Sequence, residues 1–208
     1  MPVKITDFIE QACGQFDSIS TSRQEVLAAV ARGIQERIEA GQGVPLTFIC
    51  THNSRRSHLA QVWAHVAASR YGIPSVKTYS GGTEVTECNP RTIRALARTG
   101  IVVNEPEGIN PKYVLDFGDQ AEKLECFSKL YANPPNPTDS YFAMMCCGHV
   151  DETCPVVEGA AERFSIHYLD PKVSDDSEDE SATYDERCLQ IATEMFKLMS
   201  LVTDSNSH

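Results

Sequence analysis

Apolar residues recur along the chain with two different spacings. Five segments repeat them at helical intervals, as Val26, Val30 and Ile34 do, and these segments predict helices over about residues 5–12, 21–40, 57–71, 90–99 and 183–201. Short segments between the helices predict strands. The buried ones are LTFIC from Leu46, YFAMMCC from Tyr141 and RFSIHY from Arg163, and VKTYSGG from Val76 is a strand that ends in glycines. Because strands alternate with helices, we expect an α/β fold built on a four-stranded parallel sheet.

The length of 208 residues suits one domain with an appendage. We divide the chain into an N-terminal helical extension (1–44), a main domain (45–202) and a short tail (203–208). Two stretches are predicted to be loops. Residues 131–140 contain three prolines, and residues 174–181 form an acidic run that we interpret as a solvated lead-in to the last helix.

The formal net charge of −11 argues against a nucleic-acid partner, because phosphate backbones require clustered Lys and Arg. It also means that an anionic ligand needs a local positive field. No run approaches the roughly 18–20 apolar residues of a membrane span, and the N-terminus lacks the apolar region of a signal peptide. Since the eight cysteines are irregularly spaced, we expect a cytoplasmic protein with reduced thiols and no membrane association.

The segment TFICTHNSRRS ends a predicted strand on Cys50 and begins a helix near Arg56. Ligands of parallel sheets bind beyond the carboxyl ends of strands, where a helix N-terminus offers unpaired N–H groups and a positive dipole end. Arg56 can give an oxyanion two parallel hydrogen bonds, and the same field stabilises a thiolate on Cys50. One loop would therefore supply a nucleophile and an oxyanion receptor, with Ser57 bonding the thiolate and Asn53 shaping the loop.

The sequence CTHNSRRS resembles the phosphate-binding loop of low-molecular-weight protein tyrosine phosphatases and of the thioredoxin-coupled arsenate reductases that share their fold. The resemblance extends from about Leu46 to Leu201. It implies a three-layer fold with helices on both faces of the sheet. It also implies that Cys50 attacks phosphorus or arsenic while Arg56 holds the oxyanion. The positions that it assigns to oxyanion binding and loop support are Thr51, His52, Asn53, Ser54, Arg55, Ser57 and Ser80.

Asp170-Pro171 follows the predicted strand RFSIHY, and Asp-Pro is by itself a common turn former. The chemistry needs a proton donor, because an aryl alkoxide or an arsenate hydroxyl leaves poorly as an anion. The family carries its general acid in a matching Asp-Pro loop, so the resemblance assigns that role to Asp170. Phosphatases of this kind follow the proline with an aromatic residue. Lys172 stands here instead, which suits a small anion better than phosphotyrosine.

Cys147 follows the third predicted strand, and Cys154 lies seven residues further on. Zinc binding would need closer cysteine pairs and a further ligand besides His149. A thiol relay fits better, since mobile thiolates in one flexible loop can pass a disulfide along. The arsenate reductases that the chain resembles carry two cysteines here, which implies that Cys147 attacks Cys50 and Cys154 resolves. Cys146 is the rival for the middle role, although strand alternation would point it into the core.

Family members that bind potassium use an acidic residue where Gln61 stands, so we expect no metal and no cofactor apart from a thioredoxin-like reductant. The segment 104–138 is interpreted as a lid or wall over the pocket. Three functions remain open: arsenate reduction through the relay, hydrolysis of phosphotyrosine or small phosphomonoesters with the extra cysteines protecting Cys50 from over-oxidation, and non-catalytic anion binding. The expected ligand is in each case a small oxyanion or phosphomonoester.

Overall fold

Four parallel strands form the central sheet of the computed structural model, which describes residues 3–104, 106–153 and 156–202. In chain order the strands are β1 (Val44–Cys50), β2 (Val76–Gly82), β3 (Val102–Val103), β4 (Tyr113–Asp116), β5 (Leu124–Cys126), β6 (Tyr141–Met145) and β7 (Ala160–Ser165). The central sheet has the order β2-β1-β6-β7, and all its pairs are parallel. β1 is almost wholly buried, as expected for an inner strand of a covered parallel sheet.

The helices are α1 (Ile5–Cys13), α2 (Thr21–Glu39), α3 (Arg56–Arg70), α4 (Pro90–Arg98), α5 (Gly148–Thr153) and α6 (Glu180–Ser200). α3 packs on β1 and β2, and α6 packs along α3, α2 and α1. Trp63 of α3 is fully buried and stacks on Phe8 of α1, with 4.8 Å between ring centroids. The first two helices therefore contribute to the same hydrophobic core as the sheet. The parallel sheet flanked by helices confirms the predicted fold class.

The sheet brings several loops to one edge. Because all four strands are parallel, their carboxyl ends lie on the same side, and β1 pairs with both β2 and β6. The loop after Cys50 is therefore next to the loop after Met145, and the chain beyond Ser165 returns to the same edge. This arrangement is the one in which α/β proteins bind ligands.

A second, antiparallel sheet joins β3, β4 and β5 and was not predicted from the sequence. Its strands have two to four residues, too few to display a two-residue period. Phe117, which follows β4, is buried against His65 of α3. Most of the segment expected to form a lid is thus a small folded unit beside α3.

Two local expectations were wrong. The residues after Cys147 form the short helix α5 instead of a flexible loop. The acidic run is not simply solvated, because Asp175, Asp176 and Glu180 form ion pairs with arginines, including Arg91 of α4. None of the helices in the three described ranges is long and apolar enough to cross a membrane.

Candidate active site

The oxyanion loop, residues 50–56, runs from the end of β1 to the start of α3. The Cys50 sulfur lies 3.0 Å from the Ser57 hydroxyl, which accepts a hydrogen bond of 2.9 Å from the Asn53 amide. Asn53 has a φ of 45°, in the left-handed region that asparagine tolerates better than most residues. The predicted partners Asn53 and Ser57 therefore meet at the thiol.

The loop backbone is free to bind an anion. Within the described ranges, no protein acceptor receives a hydrogen bond from the backbone N–H groups of residues 51–57. These groups lead into the first turn of α3, where the helix dipole is positive. Clustered N–H donors at such a position attract phosphate-like anions. The geometry agrees with the predicted oxyanion receptor.

Neighbouring segments fix the shape of the loop from behind. Gly82 at the end of β2 passes so close that a Cβ there would lie 2.6 Å from the Thr51 carbonyl oxygen. Ser128 donates to the His52 carbonyl oxygen at 2.8 Å, and the Lys129 backbone N–H donates to Asn53 Oδ1 at 3.0 Å. The stretch at 128–129 thus supports the loop instead of covering it, and sequence reasoning missed this role.

His58 is a buried link between the loop helix and β2. Its Nδ1 lies 3.3 Å from the Ser80 hydroxyl, so Ser80 reaches the loop through this ring. Burial, and after it the charge of Lys129, lower the pKa of His58 from 6.5 to about 3. The ring is therefore neutral at pH 7. No sequence signal distinguished this histidine from a surface one.

Acid should destabilise the protein through His58. The folded chain keeps the ring neutral down to about pH 3, whereas the unfolded chain binds a proton near 6.5. The unfolded state therefore binds more protons between these values, and stability falls as the pH falls. We expect a loss of about 2 kcal/mol between pH 7 and pH 5 from this group. Urea unfolding at both pH values should show a smaller loss in His58→Asn, and an equal loss would contradict the assignment.

Arg56 and Asp170 meet at the edge of the sheet. The Arg56 guanidinium donates from Nη2 to Asp170 Oδ2 at 2.7 Å and from Nη1 to the Tyr168 carbonyl oxygen at 3.1 Å. Asp170 lies beyond β7, and its Oδ1 accepts from the Lys172 backbone N–H. The structure thus places the predicted acid beside the predicted oxyanion receptor.

The other loop residues point elsewhere. The Ser54 carbonyl oxygen accepts from the Asn89 N–H at 3.0 Å, which ties the loop to α4. His52 is half-exposed and lies 3.4 Å from Glu84. The Arg55 guanidinium is directed to other partners and donates to Tyr184 and Asp175. Arg55 therefore supports the loop from outside and is not placed to bind the oxyanion.

Cys147 is the relay candidate that contacts the loop. Its sulfur lies 3.6 Å from the Thr51 hydroxyl and accepts a hydrogen bond of 3.4 Å from the Val150 N–H. Cys146 is fully buried with its sulfur toward the Met144 carbonyl, and burial raises the pKa of this thiol well above its ordinary value. Cys154 lies outside the described residues.

Gln61 occupies a buried place behind the loop. Its amide nitrogen donates to the Thr78 carbonyl oxygen at 3.2 Å. Across the described part of the chain, no group of three or more His, Cys, Asp or Glu side chains is arranged to hold a metal ion. The groups that the structure brings together around the oxyanion loop are the Cys50 thiol, the Arg56 guanidinium, the Asp170 carboxyl group and backbone N–H groups.

Comparison with known proteins agrees with this geometry. Residues 45–115 match the family model of low molecular weight phosphotyrosine protein phosphatase. An arsenate reductase of Bacillus subtilis (strain 168) is 26% identical over 141 residues, which cover 67% of this chain and 83% of the relative. The chain is thus similar to low molecular weight phosphotyrosine protein phosphatases over the segment that holds the oxyanion loop, and to an arsenate reductase over two thirds of its length. These similarities support a cysteine-dependent enzyme.

Two solved structures are also similar to the chain. A low molecular weight phosphotyrosine phosphatase from Vibrio cholerae O395 matches over 76% of this chain and 95% of its own, with a TM-score of 0.48 and 15% identity. A thioredoxin-dependent arsenate reductase from Corynebacterium glutamicum matches over 93% of this chain and 85% of its own, with a TM-score of 0.39 and 21% identity. The segment matched by the family model includes Cys50 and Arg56, whereas Cys147 and Asp170 lie beyond it.

Proposed function

We propose that this protein is an arsenate reductase in which Cys50 is the nucleophile and Cys147 is the second thiol of a cysteine relay. One observation carries the proposal. The Cys147 sulfur lies against the oxyanion loop, 3.6 Å from the Thr51 hydroxyl, beyond the strand that pairs directly with β1. A phosphatase reaction needs no second thiol at this place, whereas arsenate reduction does.

In the first step, arsenate binds to the free N–H groups of the loop and to Arg56, which turns its donors from Asp170 toward the oxyanion. The Cys50 thiolate attacks arsenic and forms an As–S bond. One arsenate oxygen leaves as water after Asp170 has given it a proton. The Ser57 hydroxyl lies within hydrogen-bonding distance of the attacking sulfur, at 3.0 Å.

In the second step, the Cys147 thiolate attacks the Cys50 sulfur. An S–S bond forms, and the electron pair of the S–As bond stays on arsenic, which falls from As(V) to As(III) and leaves as arsenite. The Val150 N–H donates to the Cys147 sulfur at 3.4 Å and holds it beside the oxyanion loop. The buried Cys146 has a raised pKa and is the weaker candidate.

In the third step, the Cys154 thiolate attacks Cys147 and releases Cys50. α5 fills the six residues between Cys147 and Cys154. The resulting disulfide returns to two thiols by exchange with an external dithiol, for which a thioredoxin-like protein is the proposed partner.

Hydrolysis of a small phosphomonoester is the second candidate, and the Arg56–Asp170 pair favours it. A nucleophile, an oxyanion receptor and an acid are sufficient for transfer of a phosphoryl group to Cys50 and then to water. Cys147 would then protect Cys50 by forming a disulfide after oxidation to a sulfenic acid.

A coupled assay separates the two candidates. Arsenate, thioredoxin, thioredoxin reductase and NADPH should support arsenate-dependent NADPH oxidation, and hydrolysis of p-nitrophenyl phosphate is measured in parallel. In Cys154→Ser, a single turnover with arsenate should leave a Cys50–Cys147 disulfide that peptide mass spectrometry detects. Phosphate release without any arsenate-dependent oxidation or trapped disulfide would favour the phosphatase and contradict the reductase.

A further inference from the structure

Two adjacent arginines at the start of α3 bind two ends of one segment. Arg55 immediately precedes the helix with non-helical backbone angles, and Arg56 is its first residue, so the two side chains leave the chain in different directions. Arg56 donates to Asp170 at 2.7 Å, and Arg55 donates to Asp175 at 2.8 Å. The segment 170–175, called here the acid loop, is therefore held at both ends by neighbouring residues of the oxyanion loop.

The Arg55 end is a closed, largely buried cluster. Arg55 Nε donates to the Tyr184 hydroxyl at 2.6 Å, and this hydroxyl donates to Asp175 Oδ1 at 2.8 Å. The side chains of Arg55 and Asp175 are only 11% and 15% exposed, so water screens their attraction less than in a surface pair. Burial raises the pKa of Tyr184 to about 12, which keeps its hydroxyl protonated.

The acid loop connects its two ends rigidly. Pro171–Ser174 forms a short 3-10 helix. Asp170, the residue before it, accepts a hydrogen bond of 3.1 Å from the Lys172 N–H. Ser174 donates to the Pro171 carbonyl oxygen at 2.9 Å. A short helix with these internal hydrogen bonds moves as a unit, so holding Asp175 in place also restricts the position of Asp170.

Substrate binding changes the hydrogen bonds of Arg56 but not those of Arg55. An oxyanion in the loop takes the donors of Arg56, and Asp170 then loses its guanidinium partner. The cluster of Arg55, Asp175 and Tyr184 does not take part in oxyanion binding and keeps its hydrogen bonds when the oxyanion is bound. We infer that Arg55 is a positioning residue that keeps Asp170 over the substrate once Arg56 has been taken by the oxyanion. The inference deepens the proposed function and rests on Asp170 acting as the acid there.

The first test needs no substrate. Either arginine alone should hold the acid loop, so amide exchange over residues 170–176 should stay near the native rate in Arg55→Ala and in Arg56→Ala. The double variant should exchange at least about tenfold faster, which makes the two effects non-additive. Arg98→Ala is the matched control, since this arginine pairs with Asp185 on the surface, and adding it to Arg56→Ala should change nothing.

Two outcomes would overturn the inference. Exchange in the double variant could equal that of Arg56→Ala, or Arg55→Ala alone could open the loop fully, as for a purely structural residue. If Arg55→Ala fails to fold, Tyr184→Phe removes one hydroxyl of the cluster and should speed exchange in the Arg56→Ala background. No change in that background would contradict the inference equally. These results stand whether or not the protein turns over arsenate.

The second test uses leaving groups in aryl phosphates. General acids contribute about 10²–10⁴ to rates when the leaving group is poor. Arg55→Ala should therefore slow phenyl phosphate hydrolysis about tenfold or more and 2,4-dinitrophenyl phosphate hydrolysis little, while Arg55→Lys recovers part of the loss. Equal losses on both esters would count against a positioning role. A native protein that hydrolyses no ester and reduces no arsenate would instead refute the proposed function.

Discussion

Replacing Cys50 with serine should abolish arsenate reduction and aryl phosphate hydrolysis together. Both reactions begin with attack by the Cys50 sulfur, which lies 3.0 Å from the Ser57 hydroxyl. A serine hydroxyl remains protonated at pH 7 and is a far weaker nucleophile than a thiolate. Loss of the nucleophile should lower kcat by about 10⁴-fold or more.

Cys13→Ser is the matched control for this variant. Cys13 ends α1 and packs only partly against the core, far along the chain from the oxyanion loop. Its replacement should leave both activities within about twofold of native, as is usual for surface changes away from a site. If Cys50→Ser retains measurable turnover in either reaction, another residue is the nucleophile.

Replacing Cys147 with serine should separate the two reactions. Arsenate turnover needs a thiolate to attack Cys50, and serine cannot accept the S–S bond, so this activity should fall to background. Hydrolysis of aryl phosphates requires only Cys50, Arg56 and Asp170 and should be retained within about tenfold. Initial rates with both substrates, measured on one preparation, provide the comparison.

Cys146→Ala is the matched neighbour for this experiment. The Cys146 sulfur faces the Met144 carbonyl inside the core, so its removal should affect stability more than arsenate turnover. If Cys146→Ala abolishes reduction while Cys147→Ser retains it, the two cysteines exchange roles. If both variants reduce arsenate normally, there is no relay through this segment.

The main sheet and its flanking helices could be predicted because their signals are local and long. α2 and α6 have 19 and 21 residues with apolar spacing that repeats over several turns. β1 is a mainly apolar run that is followed by a polar loop and a helix, and this order predicted that Cys50 ends a strand. The roles predicted for Asn53, Ser57 and Asp170 followed from what the reaction requires and from the resemblance to phosphatases and arsenate reductases.

The parts that sequence reasoning missed depend on contacts between distant residues. Nothing near Arg55 indicates that its partners are Asp175 and Tyr184, more than 100 positions away. The acidic run appeared solvated because its arginine partners, Arg55 and Arg91, lie in the distant oxyanion loop and α4. α5 was missed because six residues between two cysteines are too few for a helical period. Charge pairs and short elements are decided by tertiary packing.

Competitive alkylation of Cys50 tests the central claim most directly, namely a nucleophilic sulfur inside an anion-binding loop. Iodoacetate carries a carboxylate that the N–H groups and Arg56 should attract, whereas iodoacetamide is neutral. The account predicts that labelling of Cys50 by iodoacetate saturates and that arsenate protects against it. The ratio of the iodoacetate rate to the iodoacetamide rate should be higher at Cys50 than at Cys13. Both the higher ratio and the protection should be lost in Arg56→Ala. Labelling of Cys50 that shows no preference for the anion and no protection by arsenate would contradict it.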